Sequence, residues 1–282
     1  MRVTRSIAEV RDEVRRWRRA RKRIDFVPTM GAIHAGHQSL VVRACAEADR
    51  VVTSIFVNPL QFGPGEDYRR YPRSPAADRQ LLARAGADLL WTPEVEHLVP
   101  AGHRTRIHVA ELSEMLEGDS RPGHFDGVTT IVIQLLNVVQ PDALWLGQKD
   151  AQQMRVIEQM VADLKLPTKV RRAPIVRERD GLALSSRNAY LGPEERRQAV
   201  ALSRGLAAAR MMLRQGERSS ARLVAAIRWV WREFPLVQED YVAVVDARTL
   251  AKVGVVRRRV LVAVAARVGR ARLIDNFEWG TP

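Results

Sequence analysis

Two imidazoles and two glycines stand in the stretch Val27-Pro-Thr-Met-Gly-Ala-Ile-His34-Ala-Gly-His37, where a short apolar run, Ile24 to Val27, meets helix-forming residues, Gln38 to Ala48. A strand entering a helix through glycine suits a nucleotide phosphate, because the first N–H groups of a helix and its dipole favour an anion. Gly31 permits the tight turn, and Gly36 keeps side-chain bulk off the backbone. His34 and His37, three apart, are expected to share a face of that helix. Each offers a donor that can carry charge as phosphate charge develops. The same tetrapeptide also reads as two surface histidines around a flexible glycine. A metal centre would need a third ligand, and Cys45 falls two turns on, where a small buried core residue is the better reading.

Three more segments carry chemistry. In Ser54-Ile-Phe-Val-Asn58-Pro59-Leu-Gln61 an apolar run ends in two amides that suit a small polar acid, although a polar strand end with an Asn-Pro turn explains them too. In Gly147-Gln148-Lys149-Asp150-Ala-Gln152-Gln153, Lys149 is a mobile charge for phosphate. Asp150 there can cap a helix or hold a ribose hydroxyl or Mg²⁺, with Gln153 on its face. In Asp180-Gly181-Leu-Ala-Leu184-Ser185-Ser186-Arg187-Asn188, a turn leads into two hydroxyls and a guanidinium that can wrap a triphosphate. The N-cap of the helix opening at Pro193 would be Gly192, so capping does not account for these serines.

The elements that must position these residues alternate through the first two thirds of the chain. Strands are expected at Ile24 to Val27, Val51 to Val57, Asp88 to Trp91 and Ala143 to Leu146. Helices are expected at Gln38 to Ala48, Pro75 to Ala85, Val128 to Val139 and after Gly147. That alternation predicts an α/β fold with a parallel sheet, its ligands at the carboxyl ends of the strands. Beyond Val176 the pattern becomes two helices, Pro193 to Gln215 and Ser219 to Glu233, then strands Tyr241 to Asp246 and Val260 to Val268. The expected domains are 1–175 and a smaller α+β unit, 176–282.

Composition narrows the class. With 282 residues, 46% hydrophobic and 28% charged, the chain can bury a large core. It has no uninterrupted apolar run near the ~18 residues of a membrane span and opens on no apolar signal core, so the expected compartment is the cytoplasm. One cysteine leaves no internal disulfide. The net charge of +14 invites a nucleic-acid partner, but its distribution argues against one. Arg15 to Arg23 lie beside Ile7, Val10, Val14 and Trp17 at helical spacing, which makes them the solvated face of an amphipathic helix. Only five lysines occur, and Lys149 is the one inside a motif.

Taken together, the four segments resemble the pantothenate synthetase family from about Ile24 to Asn276, with Arg121-Pro-Gly-His-Phe125 and Ala271-Arg-Leu-Ile-Asp-Asn276 matching as well. The resemblance implies a Rossmann-like nucleotide-binding domain with a smaller C-terminal lid. It implies a ligase that joins (R)-pantoate to beta-alanine through a pantoyl adenylate, with ATP as substrate and Mg²⁺ bridging phosphates, and a homodimer. It implies that His34, His37, Lys149, Ser185, Ser186 and Arg187 handle the phosphates. Met30, Gly31, Gly36, Gly147, Gln148, Asp150, Val176 and Leu184 would line the ATP site, and Gln61, Gln153 and Asn58 the pantoate and beta-alanine site. Sequence fixes no Mg²⁺ ligand; Asp78 is the candidate, and Asp126 is given no role. The nearest rival is a cytidylyl- or adenylyltransferase sharing the paired histidines.

Overall fold

Six short strands run parallel in the computed structural model, which describes residues 1–280. In chain order the first part contains β1 (Arg2–Thr4), α1 (Ile7–Arg19), β2 (Ile24–Thr29), α2 (Ala35–Glu47), β3 (Arg50–Ile55), α3 (Pro75–Ala85) and β4 (Leu89–Trp91). The single-turn helices α4 (Val95–Leu98) and α5 (Glu117–Ser120) precede α6 (His124–Val139), β5 (Ala143–Gly147), α7 (Ala151–Asp163) and β6 (Lys169–Ala173). Across the sheet the order is β1-β4-β3-β2-β5-β6. Strand order therefore reverses between β2 and β5, which pair through Asp25 with Ala143 and Phe26 with Leu144. Crevices for ligands open at such a reversal. The segments after β2 and β5 are those singled out by their histidines and glycines.

The sheet is a two-sided core. Ile24, Phe26, Leu144 and Trp91 pack with Val10, Val14 and Trp17 of α1 and with Ile131, Leu135 and Met154 on one face. Val27, Val51, Leu90 and Trp145 pack on Leu40, Val41 and Leu82 on the other. Continuous apolar strands are what burial on both faces requires. Asp25, fully buried within β2, is satisfied by Trp145 Nε1 at 2.7 Å and Arg23 Nε at 3.3 Å. Helix α1 has the expected amphipathic form, and Ser6 caps it by accepting from Glu9 N–H.

The chain divides into two compact units, the first comprising Met1–Gln148 and Gln152–Pro174, the second Lys149–Ala151 and the chain from Ile175. Lys149 and Asp150 thus go with the second unit, whereas the sequence spacing put them in a first domain ending at 175. Residues 281 and 282, part of the expected 176–282 unit, lie outside the described residues. The second unit holds α8 (Pro193–Gln198), α9 (Ala201–Arg214), α10 (Ser220–Trp231) and an antiparallel sheet, β7 (Val237–Asp246), β8 (Val260–Val268) and β9 (Ala271–Trp279), in that order. Leu206, Leu213, Leu223 and Ile227 pack on Val262, Val264 and Phe277 to form its core. Helices α9 and α10 meet where a Cβ on Gly205 would lie 2.8 Å from Trp231 Nε1 and 2.9 Å from Ile227 Cγ2. That close approach lets Trp231 Nε1 donate to Ala201 O at 2.9 Å.

Several boundaries differ from the sequence reading. Strand β3 stops at Ile55, not Val57, and Asp88 lies just before β4, where its carboxylate accepts from Val51 N–H at 2.8 Å. The segment expected as one helix from Pro193 to Gln215 is two, α8 and α9. Cys45 is partly exposed, with Sγ 3.3 Å from Gly86 O, instead of being a core residue.

Candidate active site

The loop after β2 is built by its own first turn. Gly31 has φ +87°, a left-handed conformation that glycine adopts without strain, and Ala32 follows at φ +49°. Asp78, 2% exposed on α3, accepts from Ala32 N–H at 2.9 Å and Ile33 N–H at 2.8 Å. Both its carboxylate oxygens are engaged by the backbone, so Asp78 is a staple of the histidine loop.

His34 is not on the helix face with His37; it is the extended N-cap residue of α2, with φ −131° and ψ 176°. Its Nδ1 accepts from Gly36 N–H at 3.1 Å, while its own N–H donates to Nδ1 of His37 at 3.4 Å. This is a reciprocal capping box made of two imidazoles, whose ring centroids lie 4.1 Å apart. Gly36 N–H is therefore taken by His34 and is not the open anion donor expected from the helix start. In the neutral rings both Nδ1 atoms accept, which puts each ring's proton on Nε2.

The amide pair after β3 is equally determined. Asn58 is 2% exposed; its Oδ1 accepts from Leu60 N–H at 3.0 Å and its Nδ2 donates to Gly127 O at 2.9 Å. A backbone donor and a backbone acceptor leave no choice of orientation. The same Nδ2 donates to Gln61 Oε1 at 3.0 Å, so Gln61 turns its own NH₂ group away from Asn58, toward Met30 Sδ at 3.0 Å. Asn58, expected as a binding residue, thus sets the direction of Gln61. Close packing of α6 on the 3₁₀ turn Pro59–Gln61 makes this possible. A Cβ at Gly127 would lie 2.1 Å from Leu60 O.

At the end of β5, Gly147 faces open space. Gln148 is buried. Gln153 on α7 is half-buried and its amide makes no hydrogen bond among the described residues, whereas its neighbour Gln152 is a staple. Gln152 Nε2 donates to Leu112 O and Met115 O at 2.9 and 2.6 Å, and its Oε1 accepts from Glu117 N–H at 3.0 Å.

The second unit positions the other candidates. Lys149 Nζ is 3.5 Å from Asp150 Oδ1, and Lys149 O accepts from Asn276 Nδ2 at 2.8 Å. The next residue back on β9, Asp275, is 2% exposed and takes a two-pronged hydrogen bond from Arg177 at 2.6 and 2.8 Å. Arg177 bridges to Ala183 across a turn at Gly181, φ +96°, and Leu184 N–H donates to Val176 O at 3.0 Å. Arg196 ties the turn down through Glu178 at 2.6 Å and Asp180 at 2.8 Å. The hydrogen bond from Arg196 holds the Asp180 carboxyl below the usual range. Ser185 does cap a helix after all. It accepts from Arg187 N–H at 3.2 Å and opens a 3₁₀ helix, Ser186–Tyr190. Gly192 caps α8 as expected.

Sequence reasoning quoted Arg121 and His124 but gave them no task. His124 Nδ1 lies 2.8 Å from Gln61 O and its Nε2 3.1 Å from Arg121 Nη1, while Arg121 grips Glu66 at 2.7 and 2.6 Å. Burial first, then the adjacent Arg121 charge, lowers His124 to about 4. Burial would raise the Glu66 carboxyl, but the hydrogen bonds and charge of Arg121 outweigh it and the group sits below its ordinary value. The spacing Arg-x-x-His was the available signal.

Residues 2–278 match the family model described as pantoate-beta-alanine ligase. The chain belongs to that family. A pantothenate synthetase of Heliobacterium modesticaldum is 50% identical over 277 residues, covering 98% of this chain and 99% of the relative. One from Thermotoga neapolitana is 50% identical over 276 residues, again covering 98% and 99%. The crystal structure of the pantothenate synthetase from Thermus thermophilus superposes with a TM-score of 0.95 at 47% identity over 100% of both chains. The Francisella tularensis ligase, solved with beta-gamma ATP and beta-alanine, gives 0.80 at 35% identity over 98% of this chain and 97% of that one. The family's reaction, ligation of pantoate to beta-alanine, is therefore this ligase's reaction, and both the parallel α/β sheet and the small antiparallel unit belong to its fold.

Proposed function

We propose that the ligase works through a pantoyl adenylate. The pantoate carboxylate attacks the α-phosphorus of ATP and pyrophosphate leaves; the beta-alanine amine then attacks the acyl carbon, AMP leaves and the amine gives up a proton. Two anions must meet in the first step, so positive charge and fixed donors are needed before a bond forms. His34 and His37 present Nε2 protons to the phosphates as charge develops there. Lys149, Ser185, Ser186 and Arg187 hold the β and γ groups and then the pyrophosphate. Met30, Gly147, Asp150 and Val176 line the adenosine, largely with backbone, and Gly31, Gly36, Gln148 and Leu184 complete the ATP site. Gln61 and Gln153 bind pantoate, Gln61 through the NH₂ group that Asn58 turns outward.

Residues 1–175 serve as the nucleotide- and pantoate-binding part and 176–282 as the lid. Excluding water protects the adenylate, which hydrolyses readily. Mg²⁺ would neutralise phosphate charge. Among the described residues no group of three or more His, Cys, Asp or Glu side chains could hold a metal ion. A homodimer in the cytoplasm completes the reading; no described helix is long and apolar enough to cross a membrane.

The observation that carries this reading is the imidazole capping box at the sheet's reversal point, within the family match. Steady-state turnover tests it. AMP should accumulate only when pantoate and beta-alanine are both present. A stable nucleotide-linked product, formed with pyrophosphate release and no AMP, overturns it in favour of a nucleotidyltransferase.

A further inference from the structure

The proposed pantoate contact, Gln61, sits on a three-residue 3₁₀ turn, which by itself is a poor support for a side chain that must hold one direction. Asn58 fixes the amide end. What fixes the backbone end is the carbonyl of Gln61, which lies 2.8 Å from His124 Nδ1 and 3.3 Å from Arg121 Nη2. Arg121 can only donate, so His124 Nε2, 3.1 Å from Arg121 Nη1, must accept. The proton of His124 is therefore on Nδ1 and points at the Gln61 carbonyl. Glu66 closes the chain by taking two donors of Arg121 at 2.7 and 2.6 Å. Burial of His124 beside the Arg121 charge keeps the ring neutral, and so able to accept from Arg121, through the working pH range.

We infer that Glu66, Arg121 and His124 are positioning residues for pantoate recognition, acting as one relay of hydrogen bonds that locks the Gln61 carbonyl and with it the reach of its amide. The inference rests on the reading of Gln61 as a pantoate contact. It makes the loop carrying Glu66 and the start of α6 part of the specificity apparatus, although none of the three side chains need touch the substrate. Such support matters because small displacements of a binding group are expensive in rate.

Three variants and a double-mutant cycle test it. His124→Gln retains an acceptor for Arg121 near the Nε2 position but loses the donor to Gln61; His124→Asn retains a donor near the Nδ1 position and loses the acceptor. His124→Gln should raise the pantoate KM by roughly tenfold or more while the ATP KM changes less than about threefold. His124→Asn should recover most of that loss, which a merely structural role would not produce. In a Gln61→Ala background, His124→Gln should add little further, because both act through one contact. The relay is overturned if His124→Gln leaves the pantoate KM unchanged while Gln61→Ala raises it, or if the two effects multiply. Gln61→Ala with an unchanged pantoate KM instead removes the Gln61 assignment itself, and the relay with it. Should His124→Gln fail to fold, Arg121→Lys in the folded enzyme replaces it, since one ammonium cannot serve Glu66, His124 and Gln61 together; an unchanged pantoate KM there overturns the relay equally.

Discussion

Lys149 is one of five lysines among 46 basic residues, and the choice of ammonium over guanidinium at that position has a physical sense. The arginines around it are used where geometry is fixed, as in the two-pronged hold of Arg177 on Asp275. An ammonium on a flexible stem can instead follow charge as it moves onto a departing pyrophosphate. Lys149→Ala is expected to slow adenylate formation by at least ~10²-fold, the scale of one lost transition-state contact. Pyrophosphate release in single turnover measures it, and near-wild-type release would take Lys149 out of the chemistry. At this scale residue types were legible in the sequence, because histidine pairs, amides and a lysine beside glycine have few other uses together. Their directions were not. Asn58 is oriented by Gly127, 69 residues away, and no local pattern encodes that hydrogen bond. His34 read as a helical residue because its capping role depends on its extended backbone, which a spacing rule does not see.

Elements do their work here through backbone groups rather than bulk. Helix α3 reaches across to the histidine loop with Asp78, whose two oxygens accept from the N–H groups of Ala32 and of the buried Ile33. Asp78→Asn replaces one acceptor oxygen by a donor facing an N–H. A loss of about 1–3 kcal/mol in unfolding free energy is expected, read by denaturant titration, with the Mg²⁺ concentration for half-maximal activity unchanged. A marked rise in that Mg²⁺ requirement without loss of stability would instead make Asp78 a metal ligand. The pattern of strands and helices was readable wherever burial is two-sided, as in β2, β3 and β5, whose residues are mostly apolar. It failed at the sheet edges. β1 is only three residues long, and β6, Lys169–Ala173, carries three basic residues that an edge strand tolerates. The break between α8 and α9 also escaped notice, since Ala199 and Val200 keep near-helical angles through it.

Across the whole molecule the charge of +14 is the excess of basic over acidic residues left once partly exposed ion pairs, such as Arg228 with Glu239 and Arg18 with Asp142, cancel, and pairs of this kind contribute little individually. One cluster responds to pH. His108 lies between Asp126 at 2.8 Å and Glu114 at 3.1 Å, and the hydrogen bond to Asp126 leads in raising its pKa. A raised folded-state value means the imidazolium binds its proton more tightly in the native state. That stabilisation is complete below the unfolded value of about 6.5 and is lost as pH rises through the folded value. Unfolding midpoints of wild type and His108→Gln should therefore differ more at about pH 6 than at about pH 9, by a modest amount given the exposure of the ring. Equal differences at both values would remove His108 from the pH response.

Consecutive residues on β9 carry a consequence of their own. Asp275 holds Arg177, which anchors the turn leading to Ser185, and Asn276 holds the backbone of Lys149. Neighbouring positions in a strand project to opposite faces, so one rung of a ladder serves two clients that never share a side. Any slip in the register of this hairpin would miscalibrate both at once. The sequence around Gly269, where β8 turns into β9, should tolerate changed letters far more readily than a changed count of them.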